Sequence, residues 1–271
     1  MTQYTNYYAK KRFGQNFLIN SFIINEIIRL FNPNINDHII EIGPGLGALT
    51  KILIKQLNYL EVVEIDRDII KILQHEFKSE IANNKFVIYE ADALKFDFNN
   101  ICNDGLRIIG NLPYNISTPL LFYLSNFNNI KDMHFMLQNE VVNRIIARPD
   151  CHDYGRLSVM LQSRYDCCRL LFVGKDAFDP KPKVDSAIVR LIPRDPNLVM
   201  QIDFKKLNMI VTSAFNQRRK TILNSLSKII EKDYLIDTLS QLNIDTTKRA
   251  ENITVDEYIL LSKKIIFFNK V

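Results

Sequence analysis

Two periods of apolar spacing alternate along the first half of the chain. Residues 19–31 repeat apolar side chains at helical spacing, with Ser21 as a candidate N-cap and Pro33 just past the end. The apolar run 38–42 reads as a short strand, and Gly43-Pro44-Gly45-Leu46-Gly47 follows it as a turn. Helices are expected at 48–57 and 67–77, and strands at 60–65, 86–89 and 106–110. Helix 119–125, strand 133–137 and helix 140–147 continue the alternation. Such alternation predicts an α/β fold with a parallel sheet covered on both faces.

The pattern changes after residue 170. Strand-like stretches at 170–173 and 187–192 flank a Pro-rich loop, Phe178-Asp179-Pro180-Lys181-Pro182-Lys183. Pro193 to Asn197 has linker composition, and helical periodicity alone follows, at 204–215, 218–230, 234–242 and 255–267. The expected division is a larger α/β domain over 1–196 and a smaller all-helical domain over 197–271.

A chain of 271 residues has room for both. Its net charge of +5 is mild, so placement matters more than size. Cys102, Cys151, Cys167 and Cys168 form no CxxC pair, and His38, His75, His134 and His152 are scattered, so neither a disulfide framework nor a metal site is expected. No apolar run reaches the length of a membrane span, and the polar, aromatic stretch 1–12 lacks the apolar core of a signal peptide. A reducing, cytoplasmic setting away from membranes is expected.

The strand, the Gly-rich turn and the next helix make a nucleotide-type site. Glycines at 43 and 45 let backbone approach a ligand, and a helix start offers free N–H groups. Glu64 ends the following strand, where a carboxylate can take both ribose hydroxyls. Asp92, after the third strand, can accept a hydrogen bond from an adenine amine. Gly43, Gly45 and Ala48 also satisfy a dinucleotide fingerprint with Glu64 at a suitable distance, so a nicotinamide cofactor stays open at this point. Glu41 tilts the reading toward S-adenosylmethionine, because an acid before the glycines can face a cationic amino-acid tail. A surface or capping role for Glu41 is the alternative.

Asn111-Leu112-Pro113-Tyr114 follows the fourth main strand, at the carboxyl edge where open α/β sheets bind ligands. An adenine amine is a poor nucleophile because its lone pair is delocalised into the ring. The Asn111 side-chain oxygen and the carbonyl of Leu112 or Pro113 can each accept one of its N–H groups. Together they favour a pyramidal nitrogen whose lone pair is free to attack. Pro113 stiffens the turn, and Tyr114 offers a face for a base taken out of its stack. A plain strand-to-loop turn with a core tyrosine is the competing reading.

These motifs resemble those of the ribosomal RNA adenine N6-dimethyltransferases, in particular the bacterial small-subunit (16S) group. The similarity spans nearly the whole chain. It includes Lys11 to Leu18, Glu41 to Gly47, Asn111 to Ser117, Tyr154 to Val159, Phe178 to Ser186, Phe215 to Thr221 and Arg249 to Ile253. The resemblance implies a Rossmann-like methyltransferase sheet with a helical C-terminal domain. It implies S-adenosylmethionine held at Asn16, Leu18, Gly43, Glu64, Asp92 and Asn111. It further implies that Phe178 stacks on the target base opposite Tyr114; by itself Phe178 reads as a core aromatic. The substrate it implies is a pair of adjacent adenines near the 3′ end of 16S rRNA in the 30S particle, acted on by a monomer during ribosome biogenesis.

Lys10, Lys11 and Arg12 precede the first helix, with no acid among the first twenty-five residues. Charge alone leaves a phosphate-touching arm and a solvated tail open, and the resemblance adds a segment closing over the cofactor. Arg218-Arg219-Lys220 is expected to open a helix, against the helix dipole, as an RNA contact; Lys205 and Lys206 lie upstream. Lys181 and Lys183 beside Phe178 are further RNA candidates, and Arg144 and Arg148 extend the set. The 23S-directed relatives, a non-catalytic RNA-binding assembly factor and a dinucleotide oxidoreductase are the competing functions.

Overall fold

A computed structural model of the chain describes Lys10 and residues 14–266. Lys11 and Arg12 of the expected basic arm lie outside the described residues. The strands of the main sheet are, in chain order, β2 (Ile39–Ile42), β3 (Leu60–Glu64), β4 (Phe86–Glu90), β5 (Leu106–Asn111), β6 (Ile130–Gln138), β7 (Tyr165–Val173) and β9 (Ser186–Pro193). Two short strands, β1 (Phe17–Leu18) and β8 (Phe178–Asp179), pair separately and antiparallel.

The seven-stranded sheet has the order β4-β3-β2-β5-β6-β9-β7. The strands from β4 to β6 are parallel, and β9 runs antiparallel to β6. Every residue of β2 and β3 is buried, as expected for central parallel strands with both faces covered. The chain runs outward from β2 to β4 and then returns to lay β5 on the other flank of β2. Strand order therefore reverses between β2 and β5, the place where such sheets bind ligands beyond their carboxyl ends.

Helices α1 (Ser21–Phe31), α2 (Thr50–Gln56), α3 (Arg67–Glu76), α4 (Lys78–Ala82) and α5 (Ser117–Leu124) connect these strands. The N-cap of α1 is Asn20, not Ser21: its Oδ1 accepts the Ile23 N–H at 3.1 Å. The register between β5 and β6 shifts once. Leu106 lies opposite Ile130 but Arg107 lies opposite Asp132, so Lys131 is the extra residue of a bulge.

Arg107 is buried at the start of β5. It forms a two-pronged contact with Asp132 at 2.9 Å, bonds Asp37 at 2.6 Å, and donates to the Phe31 carbonyl at 2.8 Å. Its guanidinium also lies 4.3 Å from the centre of the Phe31 ring. Burial pushes the Asp132 carboxyl upward, but the His134 ring and Arg107 outweigh it and hold the group at about 2.

The remaining helices are α6 (Asn139–Ile146), α7 (Arg156–Gln162), α8 (Pro196–Val199), α9 (Phe204–Phe215), α10 (Ile222–Leu226), α11 (Lys232–Gln241) and α12 (Val255–Lys264). The chain divides into two compact units, one of residues up to Val142 with Cys168–Ile192, the other of Asn143–Cys167 with everything from Pro193. The expected boundary at 196/197 thus misplaces the segment 143–167. That segment packs with the later helices through specific bonds: Tyr154, fully buried, donates to the Ile253 carbonyl at 2.9 Å, and Asn252 donates to Asp150 at 2.6 Å.

Arg218, Arg219 and Lys220 do not open a helix. They occupy the turn before α10, because Thr221 adopts an extended backbone and caps that helix through the Asn224 N–H. These cations therefore do not stand in the first turn of a helix, where they would oppose its dipole. Arg218 instead binds the carbonyl of His152 at 3.0 Å and Glu251 at 3.0 Å.

Candidate active site

Beyond the carboxyl ends of β2, β3 and β5 lies a cavity of about 300 Å³, within the range of small-ligand sites. Its walls bring together Asn16, Leu18, Glu41, Gly43, Gly45, Glu64, Asp92, Asn111, Leu112, Pro113 and Tyr114, residues that the sequence scatters between positions 16 and 114. Phe178 is not among the lining residues, nor is any of the four histidines.

The turn after β2 holds Gly43 and Gly45 at φ values of 67° and 55°, a region that L side chains avoid. A Cβ at Gly45 would stand 3.1 Å from the Phe17 ring, so the turn and the segment before α1 meet closely. The Gly43 N–H is tied to the Val63 carbonyl at 3.0 Å, which aligns this turn with the end of β3.

Two buried acids flank the turn. Glu41 is 2% exposed and accepts the Thr50 hydroxyl at 2.6 Å. Burial, aided by nearby Glu64, pushes its carboxyl up to about 7 although the Thr50 bond opposes this. Burial also raises Glu64, against bonds from the N–H groups of Asp66 and Ile65, each at 2.8 Å. Asp92 accepts the Leu94 N–H at 3.0 Å. The lining contains no Lys, Arg or His among the described residues, so these acids face no protein cation inside the cavity. Narrow glycine turns and uncompensated carboxylates fit a nucleoside that carries a positive charge.

The end of β5 supplies acceptors. Asn111 lies opposite Met136, and its Nδ2 donates to the Asn16 carbonyl at 3.0 Å. That bond fixes the amide orientation, and Oδ1 accepts no hydrogen bond from the described residues. The Leu112 N–H donates to the Met136 carbonyl at 3.2 Å, while the Pro113 carbonyl already accepts the Ile116 N–H at 3.2 Å. Of the two carbonyls considered from the sequence, Leu112 carries the one that this turn leaves unused. Tyr114 is pinned at both ends: Ser117 Oγ donates to its carbonyl at 3.1 Å, and its hydroxyl meets Ser186 Oγ at 3.2 Å.

Residues 14–18 form one wall of the cavity. Lys10 bonds Asp66 and Asp68 at 2.6 Å each, and Gln15 bonds Asp66 at 3.1 Å. Lys10 is therefore engaged with the start of α3, and contact with Asp66, then Asp68, raises its pKa. Sequence reasoning missed this contact because the partners lie more than fifty residues away. It also missed the β1–β8 pairing, which sets Leu18 opposite Phe178. Phe178 is 4% exposed and belongs to the core packed under that pair. Lys181 pairs with Asp176, and Lys183 is exposed.

The family model for ribosomal RNA adenine dimethylase matches residues 6–266. The chain belongs to this family. It is therefore a methyltransferase, and its mixed seven-stranded sheet is the Rossmann-like fold expected. A relative from Nitrosospira multiformis, named ribosomal RNA small subunit methyltransferase A, is 47% identical over 264 residues, covering 97% of each chain. The crystal structure of a dimethyladenosine transferase from Plasmodium falciparum aligns with a TM-score of 0.80 at 28% identity, covering 93% of this chain and all of that one. That of the 23S rRNA methyltransferase ErmE shares the fold, with a TM-score of 0.71 at 22% identity over 92% of this chain and 98% of that one. Among the described residues, no helix of this dimethylase is long and apolar enough to cross a membrane.

Proposed function

We propose that the chain dimethylates the N6 amines of two adjacent adenines near the 3′ end of 16S rRNA, within the 30S subunit, using S-adenosylmethionine. It acts in the cytoplasm, as a monomer, during small-subunit biogenesis. The observation that carries the reading is the Asn111 amide. Its nitrogen is committed to the Asn16 carbonyl, so its oxygen is the acceptor presented at the end of β5.

Bound in the cavity, S-adenosylmethionine supplies an electrophilic methyl group. Gly43 and Gly45 would let the backbone approach it, Glu41 would meet its ammonium, Glu64 its ribose hydroxyls, and Asp92 its adenine amine. Asn16 and Leu18 would close the remaining wall. Uncompensated Glu41 and Glu64 favour this donor over a nicotinamide cofactor, whose pyrophosphate brings negative charge to the same turn.

The target adenine amine donates one N–H to Asn111 Oδ1 and the other to the Leu112 carbonyl. Both bonds strengthen as nitrogen turns pyramidal, so they stabilise the transition state more than the bound base. After the first transfer one N–H remains, and either acceptor can orient it for the second. The proton is acidic once nitrogen carries four substituents, so it leaves to water without a histidine base. Tyr114 stacks on the extruded ring. Phe178 reaches the opposite face only if the β1–β8 layer yields. Lys181, Lys183, Arg219 and Lys220 contribute phosphate contacts, while Arg218 is mainly tied within its own unit.

The test is mass spectrometry of 16S rRNA after incubating the protein, S-adenosylmethionine and unmethylated 30S subunits. Dimethyladenosine at two adjacent positions is the expected product. Methylation of 23S rRNA with the 30S particles left untouched would overturn the substrate assignment.

A further inference from the structure

We propose that Ser186 is a positioning residue for methyl transfer, holding the Tyr114 ring in place through its hydroxyl. The inference rests on the function proposed above, in which Tyr114 stacks on the target base.

Ser186 opens β9 and lies opposite Gln138, the last residue of β6. Its side chain is 1% exposed, and its Oγ meets the Tyr114 hydroxyl at 3.2 Å, one hydroxyl donating to the other. The strand framework makes this meeting reproducible. β6 is clamped to β5 through Asn111 opposite Met136, and the Asn139 N–H binds the Asp185 carbonyl at 2.9 Å. Three neighbouring strands thus deliver the acceptor pair, the stacking ring and the serine to one edge of the sheet.

A tyrosine fixed only at its backbone can swing about two side-chain bonds. Here the turn holds the near end, through the Ser117 bond to the Tyr114 carbonyl, and Ser186 holds the far end. Two fixed points set the line from backbone to hydroxyl along which the ring lies, so the ring cannot swing away from the sheet edge before a base arrives. Held this way, the ring aligns the adenine amine with Asn111 and Leu112 without spending binding energy on ordering. A serine is suited to the task because it adds one hydroxyl and little bulk at a buried strand end. Ser186 touches neither the base nor the donor; it acts through Tyr114.

The experiment compares the unchanged full chain with S186A, Y114F and S186A/Y114F. Methylation of unmethylated 30S particles is followed, with S-adenosylmethionine affinity measured separately by calorimetry. S186A and Y114F are each expected to lower kcat about fivefold, the worth of one neutral hydrogen bond, with donor affinity and donor KM within about twofold. The double variant should be no slower than either single one, because both remove the same contact. An unchanged kcat in S186A, losses that multiply in the double variant, or a donor affinity that falls as far as kcat would each overturn the inference. Y114A separates this from the functional reading. If Y114A binds donor but transfers methyl poorly, the stacking role stands whatever Ser186 does. If Y114A works at the unchanged rate, the reading of Tyr114 itself fails.

Discussion

Within four residues, β5 joins two buried polar clusters that treat charge in opposite ways. At its start, Arg107 is enclosed by Asp37 and Asp132, and the acids there are held below their ordinary range. At its end, Asn111 shares a cavity with Glu41 and Glu64, whose carboxyls are pushed up by burial and meet no cation in the lining. The first cluster is complete as folded. The second is a set of acceptors and acids with no counter-charge in the lining among the described residues. Burial is common to both clusters; what separates them is the presence of a counter-charge at one and not at the other.

Arg107→Ala is the strongest challenge to that contrast. It leaves two acids buried without their cation, and about 3–5 kcal/mol of folding stability should be lost in urea melts. The chains that remain folded should bind S-adenosylmethionine normally. Loss of donor affinity without loss of stability would erase the distinction between the two ends. Asn111→Ala should do the reverse. It should cut methyl transfer on the order of 100- to 1,000-fold, the scale seen when one transition-state hydrogen bond is removed. Its melting temperature should fall by no more than about 4 °C, because the variant loses one hydrogen bond, to the Asn16 carbonyl, worth about 1 kcal/mol.

The smallest and sharpest test is a pair of pH profiles with opposite signs. Folding raises Glu41 from 4.5 to about 7, so the folded state favours its protonated form. The associated stability is present below about pH 4.5 and is lost as pH rises through about 7. Glu41→Gln, which never ionises, should therefore melt like the unchanged protein at low pH and several degrees higher at pH 8, while binding donor about tenfold more weakly. Folding lowers Asp132 from 3.8 to about 2, so its contribution is present above 3.8 and is lost as pH falls through about 2. Asp132→Asn should be less stable at pH 7, with a deficit that shrinks in acid. Parallel profiles from the two variants would refute the comparison.

The carboxyl-edge cluster was legible from the sequence, and the amino-edge cluster was not. Strand, glycine turn and strand-end acid follow one another within a few residues, so Gly43, Glu64 and Asn111 announce themselves locally. Arg107 offers one local signal, a charge inside an otherwise apolar buried strand. Its partners lie 70 and 25 residues away, beyond the reach of periodicity. The two-residue strands β1 and β8 have no period to detect, and the layer they form over the core was missed for that reason. The expected helix 218–230 starts too early, because residues 218–220 have helical composition but lie in a turn; the cap at Thr221 decides the boundary. Chain order alone groups segment 143–167 with the sheet, whereas Tyr154 and Asp150 bond to residues about a hundred positions later.

The bulge between β5 and β6 gives the Arg107 cluster one more consequence, in the fidelity of folding. Arg107 and Asp132 form the first aligned pair after that irregularity, and Asn111 opposite Met136 is the last. Apart from Arg107, the residues from Leu106 to Gly110 are apolar or glycine and have little means of their own to tell one alignment from the next. A slip by one residue would strand a buried guanidinium against carbon and turn Asn111 to the wrong face of the sheet. The ion cluster thus acts as a checkpoint on assembly, admitting the alignment that brings Asn111 to the cavity and rejecting its near misses.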